Sequence, residues 1–559
     1  MQLLEHFKEL TIHPKNAKEL KGLILQLAIQ GKLTKRWREN NHNINSAKEL
    51  LDEIKEYNES ELKKSKRRVK KPSIENDLDL DLPQNWVKAY NYELFNLQKG
   101  KNPKDLSETE KKYEYLDIEA LDRGNVRRYS DDEKAPKCKE GEILVVCDGS
   151  RSGLLLDAKF GILGSTLAII HTPPFTKEFI KIIFLQDFER ANANMKGAAI
   201  PHLDTKGLLS TPIGLPPLEE QKAIVEIVEQ LFKEVEQLET QTKLRIQLKE
   251  DYVSSALRTL STQPTEHAWA SLMPHFKEFF TEKSAIKKLR ETVLILAVQG
   301  KLTKKWRESR KLSGQDVEPA SVLLEKIKAE KEQLIKDKKI KKEKPLPEIT
   351  EKEIPYELPE SWEWCKLGDI IKEKPRNGYS PQGVEFETKT KSLKLGAITR
   401  GFFNPNEVKY LNETIVRDSF LWLEPGDILI QRSNSIDYVG VSAIYNGQKH
   451  DFVYPDLMMK IKAVANISID YLHQSLNSFY VRDYFRSKAS GTSGNMPKIN
   501  QGVVTNTILG IPPQAEQKVI VEKVNALMAI CNQLEQAIEK STEQVEQLMQ
   551  SCLKEVFEK

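Results

Sequence analysis

Residues 30–39 read QGKLTKRWRE, and residues 299–308 read QGKLTKKWRE. The match extends upstream to His6 and His275, where both copies begin His-Phe-Lys-Glu, and 18 of the 34 paired positions are identical. The offset between the copies is constant at 269 residues. The chain is therefore an internal duplication, which can place two similar domains about an approximate two-fold axis. A ligand with two half-sites would match such a protein.

Three further landmarks recur in the same order, with offsets of 276, 285 and 296 residues. They are Leu82-Pro83-Gln84-Asn85-Trp86 with Leu358-Pro359-Glu360-Ser361-Trp362, Gly141-Glu142-Ile143-Leu144 with Gly426-Asp427-Ile428-Leu429, and Leu215–Lys222 with Ile511–Lys518. The offset grows only between landmarks, so insertions fall between them. The stretches from the Leu-Pro-x-x-Trp landmark to the Pro-Pro landmark barely match each other. A constant frame with two divergent modules indicates one architecture that presents two different reading surfaces.

The composition is typical of a soluble globular protein, since 39% of the 559 residues are hydrophobic and 30% are charged. No run approaches the roughly 18 apolar residues of a membrane span, and the first ten residues lack the apolar region of a signal peptide. The five cysteines form no Cys-x-x-Cys pair, which argues against a disulfide framework or a zinc site. We therefore predict a cytoplasmic protein that does not associate with a membrane.

Net charge gives little information about partners. The whole chain carries a formal charge of +4, and the divergent modules are close to neutral. Residues 82–216 contain 19 basic and 19 acidic residues, and residues 358–512 contain 18 basic and 16 acidic residues. Bulk charge therefore does not indicate a nucleic-acid binder, and any such surface must come from local placement of charge.

Each half of the chain divides into three parts. The first is helical: an apolar stripe over residues 17–30 ends at Gly31, and residues 285–299 with Gly300 repeat it. A charged helical run with a basic end follows in each half. The second part, the divergent module, has short β-like runs interleaved with helical stretches, which is typical of a mixed α and β domain. The third part is a long helix that opens with prolines.

The long helices carry a coiled-coil pattern. Their apolar residues follow a 4-3 alternation over more than four heptads in the second half and weaken at Arg245 in the first. The predicted seam consists of Ile224, Val228, Leu231, Val235 and Leu238 in the first helix, and Ile520, Val524, Leu527, Leu534, Ile538, Val545 and Leu548 in the second. Two such helices can pair antiparallel and hold the modules apart. Packing against a different subunit is the alternative.

The frame resembles the specificity subunit of type I restriction–modification systems. The resemblance rests on the Leu/Ile-Pro-Pro-x-x-Glu-Gln-Lys element at Leu215–Lys222 and Ile511–Lys518, and on the Gly-Lys-Leu-Thr-x-x-Trp-Arg segments at Gly31–Arg38 and Gly300–Arg307. It covers nearly the whole chain. It implies an α+β fold, internally duplicated, with two mixed α/β target-recognition domains separated by long antiparallel coiled-coil helices. An extra helical and basic segment precedes each recognition domain. The only roles that we can suggest for this segment are docking of a partner or contact with the DNA backbone.

The predicted domain division has six segments. They are a helical frame segment with a basic linker (1–81), the first recognition domain (82–216), the central long helix (217–260), the repeated frame segment (261–357), the second recognition domain (358–512) and the C-terminal long helix (513–559).

The resemblance implies that each recognition domain reads one half of a split double-stranded DNA site, and that the helices set the distance between half-sites. The frame would dock two modification subunits, which use S-adenosylmethionine to methylate adenine. Restriction subunits with translocase and nuclease activity, dependent on ATP and magnesium, would join through that core. The chain itself would be non-catalytic and would bind no cofactor.

Two motifs resemble catalytic sites but lack essential residues. Gly31-Lys32 resembles the end of a phosphate-binding loop, but Gln26 stands where that loop needs glycine, so a helix-capping glycine is the better interpretation. The stretch Thr172-Pro173-Pro174-Phe175 resembles the base-gripping loop of amino-methyltransferases, but threonine replaces its amide or carboxylate, which favours a proline turn. The nine histidines show no metal-ligand spacing, so we predict no metal site.

Candidate DNA contacts are side chains with paired donors or acceptors on loops and strand ends. The best candidates follow the two Gly-x-Ile-Leu landmarks: Ser150, Arg151 and Ser152 in the first module, and Arg432 and Asn434 in the second. Further candidates are Lys99, Lys101, Arg127, Arg128, Arg376, Arg400 and Lys498. A hairpin turn with a solvated arginine is the alternative for both loops. Phosphate contacts by these residues would carry no sequence information.

Other functions compete with that of a DNA-binding specificity subunit. A stand-alone methyltransferase or nuclease would need cofactor and metal motifs that the sequence lacks. A structural coiled-coil scaffold without a DNA role would not need two large, divergent, β-rich modules. The specificity subunit of a methylation-only or type IIB-like system is a closer alternative that the sequence leaves open.

Overall fold

A computed structural model describes residues 16–42, 44–64, 71–74, 79–149, 151–193, 202–262, 272–315, 317–491 and 496–557. The chain divides into two compact units, one built from residues 1–246 with 542–559 and the other from residues 247–541. These boundaries fall inside both long helices. The division into six domain segments therefore stays a prediction.

In the first half, aliphatic runs form buried strands and the amphipathic runs form helices. The helices are α1 (Asn16–Ile29), α2 (Lys35–Asn40), α3 (Ala47–Lys64), α4 (Asn91–Leu94), α5 (Ile118–Asp122), α6 (Lys177–Ala193), α7 (Thr205–Ser210) and α8 (Leu218–Thr262). The strands are β1 (Val87–Tyr90), β2 (Asn96–Lys99), β3 (Tyr113–Leu116), β4 (Tyr129–Ser130), β5 (Lys137–Cys138), β6 (Ile143–Val146), β7 (Leu155–Asp157), β8 (Gly161–Leu163), β9 (Leu167–His171) and β10 (Pro212–Leu215).

The second half repeats this plan with different lengths. Its helices are α9 (Phe276–Phe279), α10 (Lys283–Val298), α11 (Lys304–Leu312), α12 (Ala320–Lys336), α13 (Leu367–Ile370), α14 (Ile469–Leu476), α15 (Phe479–Lys488), α16 (Gln501–Thr505) and α17 (Gln514–Phe557). Its strands are β11 (Glu363–Lys366), β12 (Arg376–Asn377), β13 (Thr390–Leu393), β14 (Val408–Leu411), β15 (Ile428–Gln431), β16 (Ser442–Ile444), β17 (Phe452–Val453), β18 (Met458–Ile461) and β19 (Ile508–Ile511). Short 3-10 turns cover Met273–His275, Lys301–Thr303, Glu351–Glu353 and Leu395–Ala397.

Each divergent module contains small sheets packed with helices, which confirms the α+β fold. The strand orders are β2-β9-β6-β7 and β4-β3-β8-β5 in the first module, and β12-β18-β15-β16 and β14-β13-β17 in the second. The central strands β6 and β15 are buried at all four positions. Their runs of Ile, Leu and Val suit a strand that is covered on both faces.

A two-stranded ribbon closes each module at the frame. Strand β1 pairs antiparallel with β10, and Val87 lies opposite Leu215. Strand β11 pairs in the same way with β19, and Glu363 lies opposite Ile511. These partners are related by the offsets of the Leu-Pro-x-x-Trp and Pro-Pro landmarks, so the register is identical. The two ends of each module therefore meet just before the long helix begins.

Three of the repeated landmarks of the first half converge on one buried carboxylate, Glu220 of α8. This side chain has no exposed surface. It accepts hydrogen bonds from Thr34 Oγ1 (2.6 Å) and Trp86 Nε1 (2.9 Å), and Arg38 forms an ion pair with it. We call Thr34, Arg38, Trp86 and Glu220 the first frame joint. A buried carboxylate is tolerated here because three donors satisfy it.

The second half builds the same group from the corresponding residues. Glu516 of α17 is fully buried and accepts hydrogen bonds from Thr303 Oγ1 (2.6 Å) and Trp362 Nε1 (2.9 Å). Arg307 forms the ion pair. We call Thr303, Arg307, Trp362 and Glu516 the second frame joint. Three of the four repeated landmarks, the Gly-Lys-Leu-Thr, Leu-Pro-x-x-Trp and Pro-Pro elements, supply the residues of these joints.

The glycines of the Gly-Lys-Leu-Thr segments are required by the joints. Gly31 and Gly300 both have φ of +67°, a left-handed conformation that favours glycine at a helix end. A Cβ on Gly31 would lie 2.8 Å from Pro83 Cγ and 2.9 Å from Trp86 Cζ2. Arg38 Nη2 also donates to the carbonyl of Gly31 (2.8 Å). The helix-capping interpretation of these glycines is confirmed.

The extra helices that precede the modules pack into the module cores. Leu50 and Ile54 of α3 are buried in the same hydrophobic core as strand β6, and Leu323 and Ile327 of α12 are buried with strand β15. The resemblance left these segments without a role beyond docking or DNA backbone contact. The structure gives them a further role, which is to cover one face of each module. Part of the first basic end, residues 65–70, lies outside the described residues.

In the unit of residues 247–541, the long helices run in opposite directions and a third helix joins them. Helix α10 lies parallel to the end of α8, because Ser284 bonds with Glu250 and Lys288 Nζ bonds with Ser254 Oγ (2.8 Å). It lies antiparallel to α17, because Lys283 pairs with Glu539 and Arg290 pairs with Glu535, both at 2.6 Å. The ends of α8 and α17 therefore run antiparallel within this unit.

The other unit contains the matching contact. Leu20 of α1 and Val235 of α8 form a buried cluster against which Leu548 of α17 packs, and Lys21 pairs with Glu236 at 2.7 Å. The antiparallel prediction holds, but a two-helix coiled coil is too simple a description of it. A repeated frame helix, α1 or α10, packs against the long helices in each unit.

The predicted seam is largely the buried side of the long helices. Ile224, Val228 and Val235 are buried on α8, as are Ile520 and Val524 on α17. The remaining seam residues, Leu231, Leu238, Leu527, Leu534, Ile538, Val545 and Leu548, are half-buried. No helix among the residues the structure describes is long and apolar enough to cross a membrane.

Candidate nucleic-acid interface

The loops that follow β6 and β15 occupy equivalent places in the two modules. We call residues 147–152 the first reading loop and residues 432–439 the second reading loop. The first closes with a hydrogen bond from Gly153 N to Val146 O, and the second with one from Gly440 N to Gln431 O, both at 2.7 Å. Six residues span the first loop and eight span the second. The prediction of loops at matching places is confirmed.

A second segment in each module bonds to the base of its reading loop. Leu203 N donates to Cys147 O (2.8 Å), and Ile499 N donates to Arg432 O (2.9 Å). Isolated bridges also join Asp148 to His202 in the first module and Ser433 to Lys498 in the second. The structure therefore brings the candidate Lys498 beside the candidate Arg432, although 66 residues separate them in the sequence.

The ends of the edge strands β2 and β12 form the third part of the surface. Gly100 N donates to Leu167 O (2.9 Å), and Gly378 N donates to Met458 O (3.2 Å), at equivalent positions of the two sheets. Neither glycine has room for a side chain, because a Cβ would lie 2.2 Å from Gly164 O or 2.1 Å from Tyr454 O. The candidates Lys99 and Lys101 flank the first of these glycines.

An acid at the first reading loop binds two of the basic side chains around it. Asp148 Oδ2 lies 2.9 Å from Lys99 Nζ, and Asp148 Oδ1 lies 2.9 Å from His202 Nδ1. The hydrogen bond from Lys99, supported by His202, lowers the pKa of Asp148. The carboxylate therefore stays ionised and holds the side chains of Lys99 and His202 at the mouth of the loop.

Arg151 projects from the first reading loop and is held by an acid from another element. Its guanidinium meets Asp122 in a two-pronged contact, with Nη1 to Oδ2 at 2.6 Å and Nη2 to Oδ1 at 3.2 Å. This hydrogen bond lowers the pKa of Asp122 and raises the pKa of Arg151. The Arg151 side chain is still 43% exposed. The contact fixes the guanidinium plane and leaves surface available to a ligand.

Of the two serines beside Arg151, the structure describes Ser152. Ser152 is buried, and its hydroxyl donates to Gly149 O (2.8 Å), so it shapes the loop rather than pointing outward. This geometry does not favour a direct base contact by Ser152. Ser150 lies outside the described residues.

Arg432 is not the structural counterpart of Arg151. The shared bond to the neighbouring segment aligns Arg432 with Cys147, which is buried. Arg432 Nη1 donates to Asp456 O (3.2 Å), and Asn434 Nδ2 donates to Gln431 Oε1 (2.7 Å). The two loops share their position in the sheet, and the side chains that they present differ.

The weaker candidates fall into two groups. Three are tied to nearby acids: Arg127 to Glu119, Arg128 to Asp117 and Arg376 to Glu373. Arg128 also lies over the ring of Tyr115 (4.6 Å), and Arg376 over that of Phe420 (5.0 Å). Lys101, Arg400 and Lys498 are exposed and form no ion pair within the part of the chain that the structure describes. Whether any of these residues touches DNA stays a prediction.

Asp122 and Arg482 are absent from the sequence-based candidates, although both support a reading loop. Asp122 binds Arg151 across 29 residues of sequence, and Arg482 donates to two carbonyls of the second reading loop. No sequence motif indicates that either residue contacts a loop. The helical periodicity around Arg482 would only predict an amphipathic helix, so its partner could not be found from sequence.

The threonine of the Thr-Pro-Pro-Phe stretch has a structural use. Thr172 Oγ1 donates to Leu94 O (3.2 Å), and Thr176 N donates to Pro173 O (3.2 Å), which makes this stretch a turn between β9 and α6. The proline-turn interpretation is confirmed. Within the described residues, no group of three His, Cys, Asp or Glu side chains could hold a metal ion.

Comparison with known proteins identifies the frame and both modules. The family model described as the type I restriction modification DNA specificity domain matches residues 83–248 and again residues 359–544. The type I restriction enzyme EcoAI specificity subunit of Escherichia coli is 29% identical over 556 residues, which cover 93% of this chain and 90% of the relative. The EcoEI specificity subunit of Escherichia coli is 27% identical over 564 residues, with 94% and 91% covered.

A solved chain of a type I restriction–modification system overlaps 85% of this chain and 98% of its own length, at 16% identity and a TM-score of 0.44. The family model matches more than half of the present chain, once in each copy of the internal repeat. The chain belongs to the family of type I restriction modification DNA specificity domains.

Proposed function

We propose that this chain is the subunit that reads DNA sequence in a type I restriction–modification complex. The observation that carries the proposal is the contrast within the duplication: two identical frame joints support two reading loops with different side chains. A subunit that reads two different half-sites needs a constant support and two variable surfaces. Its relatives of similar length are specificity subunits.

The assembly proposed for the chain follows the resemblance. The frame docks two modification subunits, and restriction subunits join through that core. S-adenosylmethionine belongs to the modification subunits, and ATP and magnesium belong to the restriction subunits. The chain itself contributes binding and geometry without catalysis, in the cytoplasm, where the host DNA lies.

The test is a module exchange in the complex of this chain with the modification subunit of its own host. The wild-type complex methylates genomic DNA, and sequencing of the methylated adenines gives a motif with two halves. Replacing residues 82–216 with the first recognition domain of a relative should change one half of that motif and leave the other half unchanged. A change in both halves, or methylation by this chain alone, would refute the proposal.

The ruler role of the long helices has its own test. One heptad inserted after Leu238 and one after Leu534 lengthen α8 and α17 by about 10 Å each, at roughly 1.5 Å per residue. That is close to three base-pair steps, at roughly 34 Å per turn of about ten base pairs. We expect the preferred spacer to grow, or binding to fail. A stable variant that keeps the original spacer would show that the helices do not set it.

A further inference from the structure

The second reading loop is held by a buried arginine from another element. Arg482 lies on α15 and is only 7% exposed. Its guanidinium donates to the carbonyl oxygens of Asp437 (2.6 Å) and Val439. Burial lowers the pKa of Arg482 to about 10. It forms no ion pair with a carboxylate of the described chain, so its hydrogen bonds go to the loop backbone. Removing a cation from water costs free energy, and hydrogen bonds to the loop carbonyls offset that cost. These hydrogen bonds fix the backbone of the loop.

Two other contacts fix the same loop. Gly440 closes it with φ of +79°, and a Cβ there would lie 2.3 Å from Phe485 Cδ2, so the backbone rests directly on that ring. At the other end, Asn434 Nδ2 donates to the buried Gln431 Oε1 (2.7 Å). The loop is therefore anchored at its base by Asn434, at its end by Gly440 and from the helix side by Arg482.

The tip of the loop is exposed and partly apolar. All four residues from Ser435 to Tyr438 are exposed, and Tyr438 N donates to Ser435 O (2.9 Å) across the turn. Ile436 is 43% exposed and Tyr438 is 41% exposed. The neighbouring segment adds an exposed cation at the base of the loop, where Lys498 lies opposite Ser433. A surface with an isoleucine at the tip of an anchored loop and an exposed cation at the base of that loop suits an anionic ligand that also carries apolar groups.

In the major groove, only one base presents an apolar partner for an isoleucine. The side chain has no donor or acceptor, and among the base edges in the major groove only thymine offers an apolar group, its C5-methyl. We propose that Ile436 is a specificity-determining residue that contacts a thymine methyl in the second half-site, and that Arg482 is the positioning residue that holds it there. This inference rests on the proposed function and names one base feature that the second module reads.

The probe is a set of duplex oligonucleotides that carry the motif methylated by the wild-type complex. Each thymine of the second half is replaced in turn by uracil, which lacks only the methyl group. With the wild-type complex, one replacement should weaken binding about fourfold, the effect of one methyl-sized group removed from an apolar contact. In the complex with Ile436→Ala, the same replacement should have no effect. Replacements in the first half should act equally on both complexes.

Variants of the support test Arg482. With Arg482→Met the loop loses its anchor, so sensitivity to the same uracil should disappear, and Arg482→Lys should restore part of it. Lys488→Met removes an exposed cation from the same helix and should change nothing. A purely structural arginine would lower thermal stability and leave the uracil sensitivity intact, which would overturn the positioning role.

Two results would overturn the methyl contact itself. One is a wild-type complex that is insensitive to every uracil of the second half, and the other is an Ile436→Ala complex that keeps the sensitivity. Both leave the proposed function standing, because the two-part motif would still be methylated. A wild-type complex that methylates no specific motif would instead refute the proposed function and this inference together.

Discussion

Since the duplication, the two frame joints have stayed the same, whereas the two reading loops have come to differ. Each joint has the same four residue types with the same bonds, centred on Glu220 or Glu516. The reading loops occupy the same place in the sheet, yet Arg151 and Arg432 are not equivalent. A buried carboxylate requires all of its donors, whereas an exposed loop requires only closure of its base. Burial of charge therefore preserves the frame, and exposure leaves the reading surface free to change.

The largest expected effect comes from removing the buried carboxylate of one joint. Glu220→Ala leaves Arg38 partly buried without its partner and leaves the indole of Trp86 and the hydroxyl of Thr34 unsatisfied. Loss of one partner from a buried pair costs about 3–5 kcal/mol. We expect the denaturant midpoint of the full chain to fall accordingly, and hydrogen exchange of β1 and β10 to accelerate.

The adjacent Glu219 provides a matched control, because it is exposed on the same helical turn. Glu219→Ala should leave the free energy of unfolding within about 0.5 kcal/mol of wild type. If Glu220→Ala behaved like this control, burial of charge would not be the reason why the frame repeats. The corresponding Glu516→Ala should accelerate exchange in β11 and β19 instead.

An intermediate effect is expected at the first reading loop. Arg151→Ala should weaken binding to the cognate first half-site by about 1–3 kcal/mol if its two-pronged group reads a guanine. Asp122→Asn keeps the arginine and removes the acid that fixes its plane, so we expect relaxed discrimination at the same base pair. The measurement is binding to duplexes substituted at each position of both halves.

Uniform weakening on all duplexes would mean that Arg151 contacts phosphate, and no change would remove it from the interface. The second module supplies the control, because its half-site should be unaffected by either variant. If Asp122→Asn changed nothing while Arg151→Ala relaxed one position, the ion pair would be a property of the free protein alone.

The sequence predicted the elements of the frame well because periodicity reports which side of a helix is buried. The seam from Ile520 to Ile538, the capping glycines and the central strand Ile428–Gln431 all follow from local patterns. The joints do not, because Arg38 and Glu220 are 182 residues apart and nothing local marks either as a partner. A sequence pattern identifies the buried face of a helix but not the element that covers it. The packing of helices α1 and α10 against the long helices was therefore not predicted either.

The reading surface was predicted in position but not in chemistry. The Gly-x-Ile-Leu landmarks correctly placed the two loops at matching sites, since a strand end fixes where a loop begins. The arginine in each loop suggested equivalent roles, but Arg432 is the first residue of its loop and takes the place of Cys147, whereas Arg151 is the fifth residue of its loop. Which side chains a loop presents depends on contacts from distant elements, such as Asp122 and Arg482, that no local pattern reveals.

The smallest expected effect concerns an ion network around Glu424 in the second module. Glu424 lies 2.7 Å from Lys449 Nζ and also pairs with Lys462, and these hydrogen bonds lower the pKa of Glu424 to about 2. A carboxyl whose pKa is lower in the folded state stabilises the fold above its ordinary pKa of 4.5, and this contribution is lost as the pH falls from about 5 towards 2. Because the side chain is 35% exposed, solvent screening reduces the contribution to about 1 kcal/mol.

Glu424→Gln should therefore lower the free energy of unfolding of the full chain by about 1 kcal/mol at pH 7 and by progressively less as the pH approaches 3. Glu140→Gln, an exposed carboxylate at the corresponding strand entrance of the first module, should have no effect at either pH. The measurement is urea unfolding of both variants and wild type between pH 3 and pH 7. A difference that stayed constant with pH would show that Glu424 acts through packing rather than through its charge.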